Sequence, residues 1–331
     1  MIRAVIQGVG HSVPDQILSN ADLEKLVETN DAWIMQRTGI SERRKSAPHE
    51  TASTFATISG RIALEKAGID PMEVDQVIVA TVTSDRLFPG TACVVQDALG
   101  CNSAGAFDVG AACAGFIYAI SIGGSMIEAG RAKVILVIGV DVLTKVIDYT
   151  DRGTCVLFGD GAGAVVLRGE ENTDRGVLDT VMLSDGAGGK HIGMDVGGSY
   201  CTPVDFKNGI SNPGDIPYLY MAGAEVYRFA VGAMGDACIK LLQKVGLTSE
   251  DIDLFVPHQA NSRIIDSAAA RLNLPEHKVF KNVHKYGNTS GGSIPIALSE
   301  AETEGRLKKG DLVMTVGFGA GLVWGANLIR W

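Results

Sequence analysis

The chain has 331 residues, 46% hydrophobic and 20% charged, with a formal net charge of −9 from 29 basic and 38 acidic residues. That apolar fraction supports a sizeable core and excludes intrinsic disorder, and the length suits two domains or one duplicated fold. The acidic balance leaves no large basic footprint for nucleic acid, and no apolar run reaches the ~20 residues of a membrane helix. The longest such run near a strand, residues 134–140, is broken by Asp141.

In chain order, residues 1–14 carry a single basic residue and no long apolar stretch. They read as a strand and a turn rather than a signal peptide, so a cytoplasmic protein is expected. Ser19 and Asp22 form a capping box that opens a short helix. Residues 51–67 place Phe55, Ile58 and Ile62 at helical spacing and end at Gly68. Further helices are expected over 114–129 and over 221–245, the latter stopped by Gly246. Residues 75–82, 133–140, 252–257 and 311–318 are apolar and rich in β-branched residues. Their hydrophobicity is continuous rather than alternating, as in strands covered on both faces. Strands alternating with helices point to an α/β layered fold.

The chain repeats itself. ALEKAGIDPMEVDQVIVA (63–80) resembles LLQKVGLTSEDIDLFVPH (241–258), with Gly246 aligned to Gly68 at an offset of 246 − 68 = 178. The strands ending at Gly139 and Gly317 keep the same offset. A period this long belongs to a duplicated domain and not to a solenoid. Two similar halves are expected, residues 1–172 and 173–331. The turn-rich segment 185–217 reads as a long loop or lid.

Several motifs can be discarded. Residues 159–164 fit a dinucleotide fingerprint, but the apolar stretch that follows reads as a strand where a helix is needed. Gly189-Lys190 is followed by His191, so it is no phosphate loop. The six cysteines, Cys93, Cys101, Cys113, Cys155, Cys201 and Cys238, form no CxxC pair. Neither a disulfide framework nor a metal site is expected.

Cys113 follows a short strand through small residues into a helix. A helix start lowers a thiol pKa and offers backbone donors to an oxyanion, although a buried structural cysteine fits the same corner. His258 lies just past the end of a buried strand, and Asn288 lies in a Gly-rich turn before a helix. A packed histidine and a simple turn asparagine are the alternatives. The repeat links the three. Adding the offset to Cys113 lands in the turn after Asn288, and adding it to Ala80 gives His258. Pseudo-symmetric halves would bring a Cys/His/Asn group together across their axis.

The stretches ETNDAWIMQRTGISER, DVGAACAGF, DRGTCVLFGDGAGA, HQANSRII, YGNTSGGS and GFGAGLVWG occur in one order along the whole chain. On them the sequence resembles the thiolase-fold condensing enzymes, and among these the β-ketoacyl-[acyl carrier protein] synthase III family. The second catalytic cysteine of thiolases proper is absent from GFGAG. The resemblance implies a thiolase-like duplicated layered fold, with mixed central sheets sandwiching helices. It implies a cofactor-free acyltransferase that starts fatty acid synthesis, or a specialised relative using unusual primers in secondary metabolism. Cys113 would be acylated by a short acyl-CoA, with backbone amides of Cys113 and Ala320 as oxyanion hole; the family often has Gly at position 320. His258 and Asn288 would stabilise the enolate formed when malonyl-carrier protein loses CO2. Thr29, Trp33, Arg37, Arg152 and Asn261 would hold CoA, and Phe88 would reach the acyl pocket of a homodimer partner. Arg228, Arg263 and Arg271 would dock the acidic carrier protein, in a patch thinned where the family's frequent Lys is Ala270.

Overall fold

The computed structural model describes residues 2–195 and 218–331. Two mixed sheets carry the chain. In the first, the strand order is Ile2–Ser12, Asp160–Glu171, Val134–Val142, Gln76–Ala80, Gly105–Val109. In the second it is Gly176–Ser184, Val323–Arg330, Leu312–Gly319, Leu254–Pro257. Each sheet runs antiparallel, antiparallel and then parallel across corresponding neighbours. A parallel bridge between Phe255 and Val279 stands where the first sheet has its fifth strand.

Helices Gly115–Glu128 and Ser293–Thr303 lie between the sheets and share one core. Phe116, Ile117 and Ile120 pack there with Ile78 and Val137 of the first sheet and Val256 and Val313 of the second. Alternate residues of the first sheet, such as Val77, Val79 and Leu136, face outward onto helix Ala52–Ala67 and helix Thr91–Leu99. Helices Gly223–Val245 and Ser262–Arg271 cover the outer face of the second sheet. Every central strand is covered on both faces, which is why its hydrophobicity is unbroken.

The 178-residue offset recurs in the coordinates. Short 3₁₀ turns occupy Ala112–Ala114 and Ser290–Gly292, and helices follow from Gly115 and Ser293. Ala112 and Ser290, the first residue of each turn, share a left-handed backbone with φ of 45° and 48°. Each turn seats against the opposite half. A Cβ on Gly139 would stand 2.1 Å from the carbonyl oxygen of Gly291, and one on Gly317 would stand 3.3 Å from that of Cys113. We propose that the halves divide at residues 172–173, between the strand ending at Glu171 and the one starting at Gly176.

The capping box is formed: Asp22 N donates to Ser19 Oγ, and Ser19 N donates to Asp22 Oδ2, both at 3.2 Å. Residues 160–171 form a strand, so GDGAGA does not open a helix. The helix expected from residue 221 starts at Gly223, because Met221 pairs with Ile192 in a two-stranded ribbon. Of the segment 185–217, residues 186–191 form a 3₁₀ helix and 192–193 join that ribbon, while 196–217 lie outside the described residues.

The close approach sets a stability test. Gly139→Ala forces a methyl onto the backbone of the other half and is expected to cost more than about 3 kcal/mol. Gly68→Ala meets nothing within 4 Å and strains only its φ of +63°, which costs about 1 kcal/mol. Denaturant unfolding of both variants checks the ranking.

Candidate active site

Strand Gly105–Val109 and the left-handed turn at Ala112 deliver Cys113 to the interface of the halves. Its backbone lies against the opposite strand, where a Cβ on Gly319 would stand 2.6 Å from Cys113 N. Cys113 borders two cavities. One, of about 580 Å³, is lined by apolar residues including Val82, Leu143, Val146 and Leu219, together with Ala320 and Ser290. The other, of about 220 Å³, is lined by His258, Asn288, Phe318 and Gly319 and extends past Asn261 to Arg37 and Trp33. The structure therefore brings Cys113, His258 and Asn288 to one cavity from segments far apart in sequence.

Burial pushes the Cys113 thiol up to about 12, and the nearby Asp141 carboxylate adds to this. The nearby Ser290 hydroxyl acts in the other direction without overcoming it. The lowered thiol expected from the helix start is thus corrected: removing a thiolate from water outweighs the donors around it. Asp141 itself is fully buried. It accepts from Thr81 Oγ1 at 3.1 Å, Val82 N at 2.9 Å, Thr83 Oγ1 at 2.9 Å and Gly291 N at 3.0 Å. It ties the Ser290 turn to the loop lining the larger cavity.

His258 is 1% exposed, and burial pushes its pKa down to about 3, so the ring is neutral. Its Nδ1 lies 2.6 Å from Ser293 Oγ, which itself accepts from Gln259 N at 3.3 Å. We assign the Ser293 hydroxyl as the donor to Nδ1, which places the ring proton on Nε2. Nε2 is buried with no partner among the described residues. Asn288 Oδ1 accepts from Ser290 N at 2.8 Å, which leaves its Nδ2 as the free donor. Its backbone is clamped by Asn288 N donating to Leu157 O and Gly159 N donating to Asn288 O.

Two family models match the chain. One is described as 3-oxoacyl-[acyl-carrier-protein] synthase III, over residues 107–186; the other is its C-terminal part, over 242–331. Among curated relatives, the β-ketoacyl-[acyl-carrier-protein] synthase III of Symbiobacterium thermophilum is 50% identical, covering 100% of this chain and 99% of that one. That of Caldanaerobacter subterraneus is 48% identical, covering 100% and 98%. The crystal structure of the Aquifex aeolicus synthase superposes with a TM-score of 0.91 at 44% identity, covering 99% of this chain and 100% of that one. The chain belongs to the β-ketoacyl-[acyl-carrier-protein] synthase III family. The fold is accordingly the thiolase-like one of these condensing enzymes.

Of the residues that family resemblance assigned to CoA, Trp33, Arg37 and Asn261 line the smaller cavity and Arg152 stands over Trp33. The guanidinium carbons of Arg152 and Arg37 lie 4.8 and 5.3 Å from the Trp33 ring centroid. A base between Trp33 and Arg152 needs about 7 Å, two van der Waals contacts, so Arg152 must move aside to admit one. Arg152 is anchored to Glu28 O at 3.1 Å, and Thr29 Oγ1 is buried without a partner. The Asn261 side chain is engaged at both ends: Nδ2 donates to Arg37 O at 3.0 Å, and Oδ1 caps the helix at Arg263 N. Arg228 and Arg263 are exposed, with Arg263 over the Tyr227 ring. Arg271 is ion-paired with Asp236, which reduces the charge it can offer a partner. Phe88 is 83% exposed and does not line the cavities beside Cys113, whereas Leu87, 77% exposed, lines the larger one.

Ser290, Ser293 and Asp141 were not singled out in the sequence. The signals were present: Ser290 is Ala112 shifted by the repeat, and Asp141 is the charge interrupting a buried strand.

Two pH measurements test this electrostatic picture. Alkylation of Cys113 by iodoacetamide, followed on its own peptide, is expected to rise about tenfold per pH unit from 7 to 10 without levelling. A plateau near 8.5 means the thiol is not raised. The pKa of His258 falls from an ordinary 6.5 to about 3 on folding. Between those values the unfolded chain binds a proton that the folded chain refuses. The stabilisation is therefore complete above pH 6.5 and is lost as pH falls, at about 1.4 kcal/mol per unit. In urea unfolding, His258→Gln is expected to remove one proton from that slope.

Proposed function

We propose that this chain condenses an acyl-CoA primer with malonyl-[acyl carrier protein], giving a 3-oxoacyl-[acyl carrier protein], CO2 and CoA. It is a condensing acyltransferase that initiates fatty acid synthesis. The observation that carries its active-site assignment is a pair of fixed donors, His258 Nε2–H and Asn288 Nδ2, lining one cavity with the Cys113 thiol.

In the first half-reaction the Cys113 sulfur attacks the primer thioester. The sulfur gives up its proton as it attacks, and that proton ends on the departing CoA sulfur, so the thiolate is formed during the step rather than stored. The Cys113 amide and the Ala320 amide hold the developing oxyanion. The primer chain enters the larger apolar cavity, while CoA follows the smaller one outward past Asn261 to Arg37, Thr29 and the Trp33–Arg152 pair. In the second half-reaction malonyl-carrier protein loses CO2. The negative charge moves to its thioester oxygen, where His258 and Asn288 donate. A neutral histidine suits this role, because its Nε2–H stays in place across the physiological pH range. The enolate carbon attacks the acyl-Cys113 carbonyl, and the released sulfur regains a proton. Decarboxylation supplies the carbanion, so no cofactor is required.

Arg228 and Arg263 offer charge to the acidic carrier protein, and the paired Arg271 contributes less. The exposed Leu87 and Phe88 support a homodimer in which Phe88 reaches the partner's acyl cavity. No described helix is long and apolar enough to cross a membrane. A cytoplasmic site is the reading that fits acyl-CoA and carrier-protein substrates.

Intact-protein mass separates the steps. Wild type is expected to gain one acyl group on Cys113 from acyl-CoA and to lose it with malonyl-carrier protein, and the best-loaded chain identifies the primer. Cys113→Ser abolishes loading. Asn288→Ala loads normally but releases CO2 at least about a hundredfold more slowly. A stable adduct on another cysteine in Cys113→Ser overturns the nucleophile assignment.

A further inference from the structure

Arg43 is the largest fully buried side chain in the described structure, and nothing in the chemistry above uses it. Its pKa is lowered only to about 10, so it is a cation at neutral pH. Among the described residues no carboxylate pairs with it. A buried charge without a counter-ion is costly, and such groups persist where they hold something in place. Its partners are three oxygens on two separate segments, residues 18–20 and Val156. Nη1 donates to Leu18 O at 3.0 Å and Asn20 Oδ1 at 2.9 Å, and Nη2 donates to Val156 O at 2.8 Å.

One of these contacts, that with Val156, leads to Asn288. Val156 begins the segment whose next residues, Leu157 and Gly159, clamp the Asn288 backbone from both sides. The stem of Arg43 fills a notch made by two glycines: a Cβ on Gly159 would stand 3.0 Å from Arg43 Cβ, and one on Gly287 would stand 3.1 Å from it. Gly287, the residue before Asn288, has a φ of +63° that favours glycine. We propose that Arg43 is a positioning residue for the decarboxylation step, holding the 156–159 segment and the Gly287 turn so that Asn288 Nδ2 faces the enolate oxygen. Cys113 reaches the site from the strand and turn of residues 105–113, which Arg43 does not touch. Decarboxylation is therefore affected first, and loading is read at saturating acyl-CoA because Val156 and Leu157 also line the smaller cavity.

This rests on the role given to Asn288, and the test keeps the two apart. Arg43→Lys keeps the charge but lacks the fork that spans three acceptors. Arg43→Met removes the charge and keeps most of the volume. Each is compared with wild type for acyl loading of Cys113 and for CO2 release from malonyl-carrier protein. Release is expected to fall about tenfold to a hundredfold in both, with loading within about twofold. In the Asn288→Ala background Arg43→Lys is expected to have no further effect on release. Should the Arg43 variants fail to fold, Asn20→Ala withdraws one acceptor together with the Nδ2 bonds to Asp31 and Ile40, and with loading read at saturating acyl-CoA it is expected to give the same selective loss in weaker form. Equal losses of loading and release, or additive losses with Asn288→Ala, overturn the positioning role. If Asn288→Ala alone leaves CO2 release intact, the assignment of Asn288 fails instead.

Discussion

Each half of this chain seats its functional turn against a glycine in the central strand of the other half. The Gly291 carbonyl lies where a side chain on Gly139 would be, and the Cys113 carbonyl lies beside Gly317. The two contacts are the same contact repeated by the duplication. A side chain at Gly139 would collide with the Gly291 backbone and one at Gly317 would press on the Cys113 carbonyl, so the two glycines keep Cys113 close to His258 and Asn288. The site therefore exists only because two backbones approach more closely than side chains permit.

That closeness also fixes the chemistry. The junction excludes water, so ionised groups there are disfavoured unless they are well bonded. Cys113 rests as a thiol and His258 as a neutral ring. Asp141 instead collects backbone and hydroxyl donors from both halves. A neutral donor pair matches a reaction in which charge is brief and develops on the substrate. A permanently charged histidine would be harder to bury, and its Nδ1 could not accept from Ser293.

The same economy of charge makes Arg43 conspicuous. The described Arg and Lys ion pairs lie mostly at the surface, where such pairs contribute little, and none involves Arg43. Arg43 is buried against carbonyls behind the turn that carries Asn288. Its retention is explained by geometry rather than by pairing.

The sequence by itself determined the layered α/β class, through unbroken apolar strands, and the duplication, through two glycines and two strand ends at one offset. It also singled out three candidate reactive residues, because motif and repeat agreed on Cys113, His258 and Asn288, which the structure brings to one cavity. Local pattern was sufficient there, since strand burial, helix stops and capping are written in neighbouring residues. Only the tertiary structure decided the protonation of the site. A helix start argued for a low thiol pKa, but desolvation depends on what the other half covers, and no local pattern contains that. It also decided that Arg271 is neutralised by Asp236 and that Asn261 is engaged with Arg37 and its own helix. The partners in those contacts stand 35 and 224 residues away in the chain. Ser293 and Arg43 became legible for the same reason: what each side chain does is set by the oxygen or nitrogen it meets in the folded chain, and spacing along the sequence does not encode that meeting.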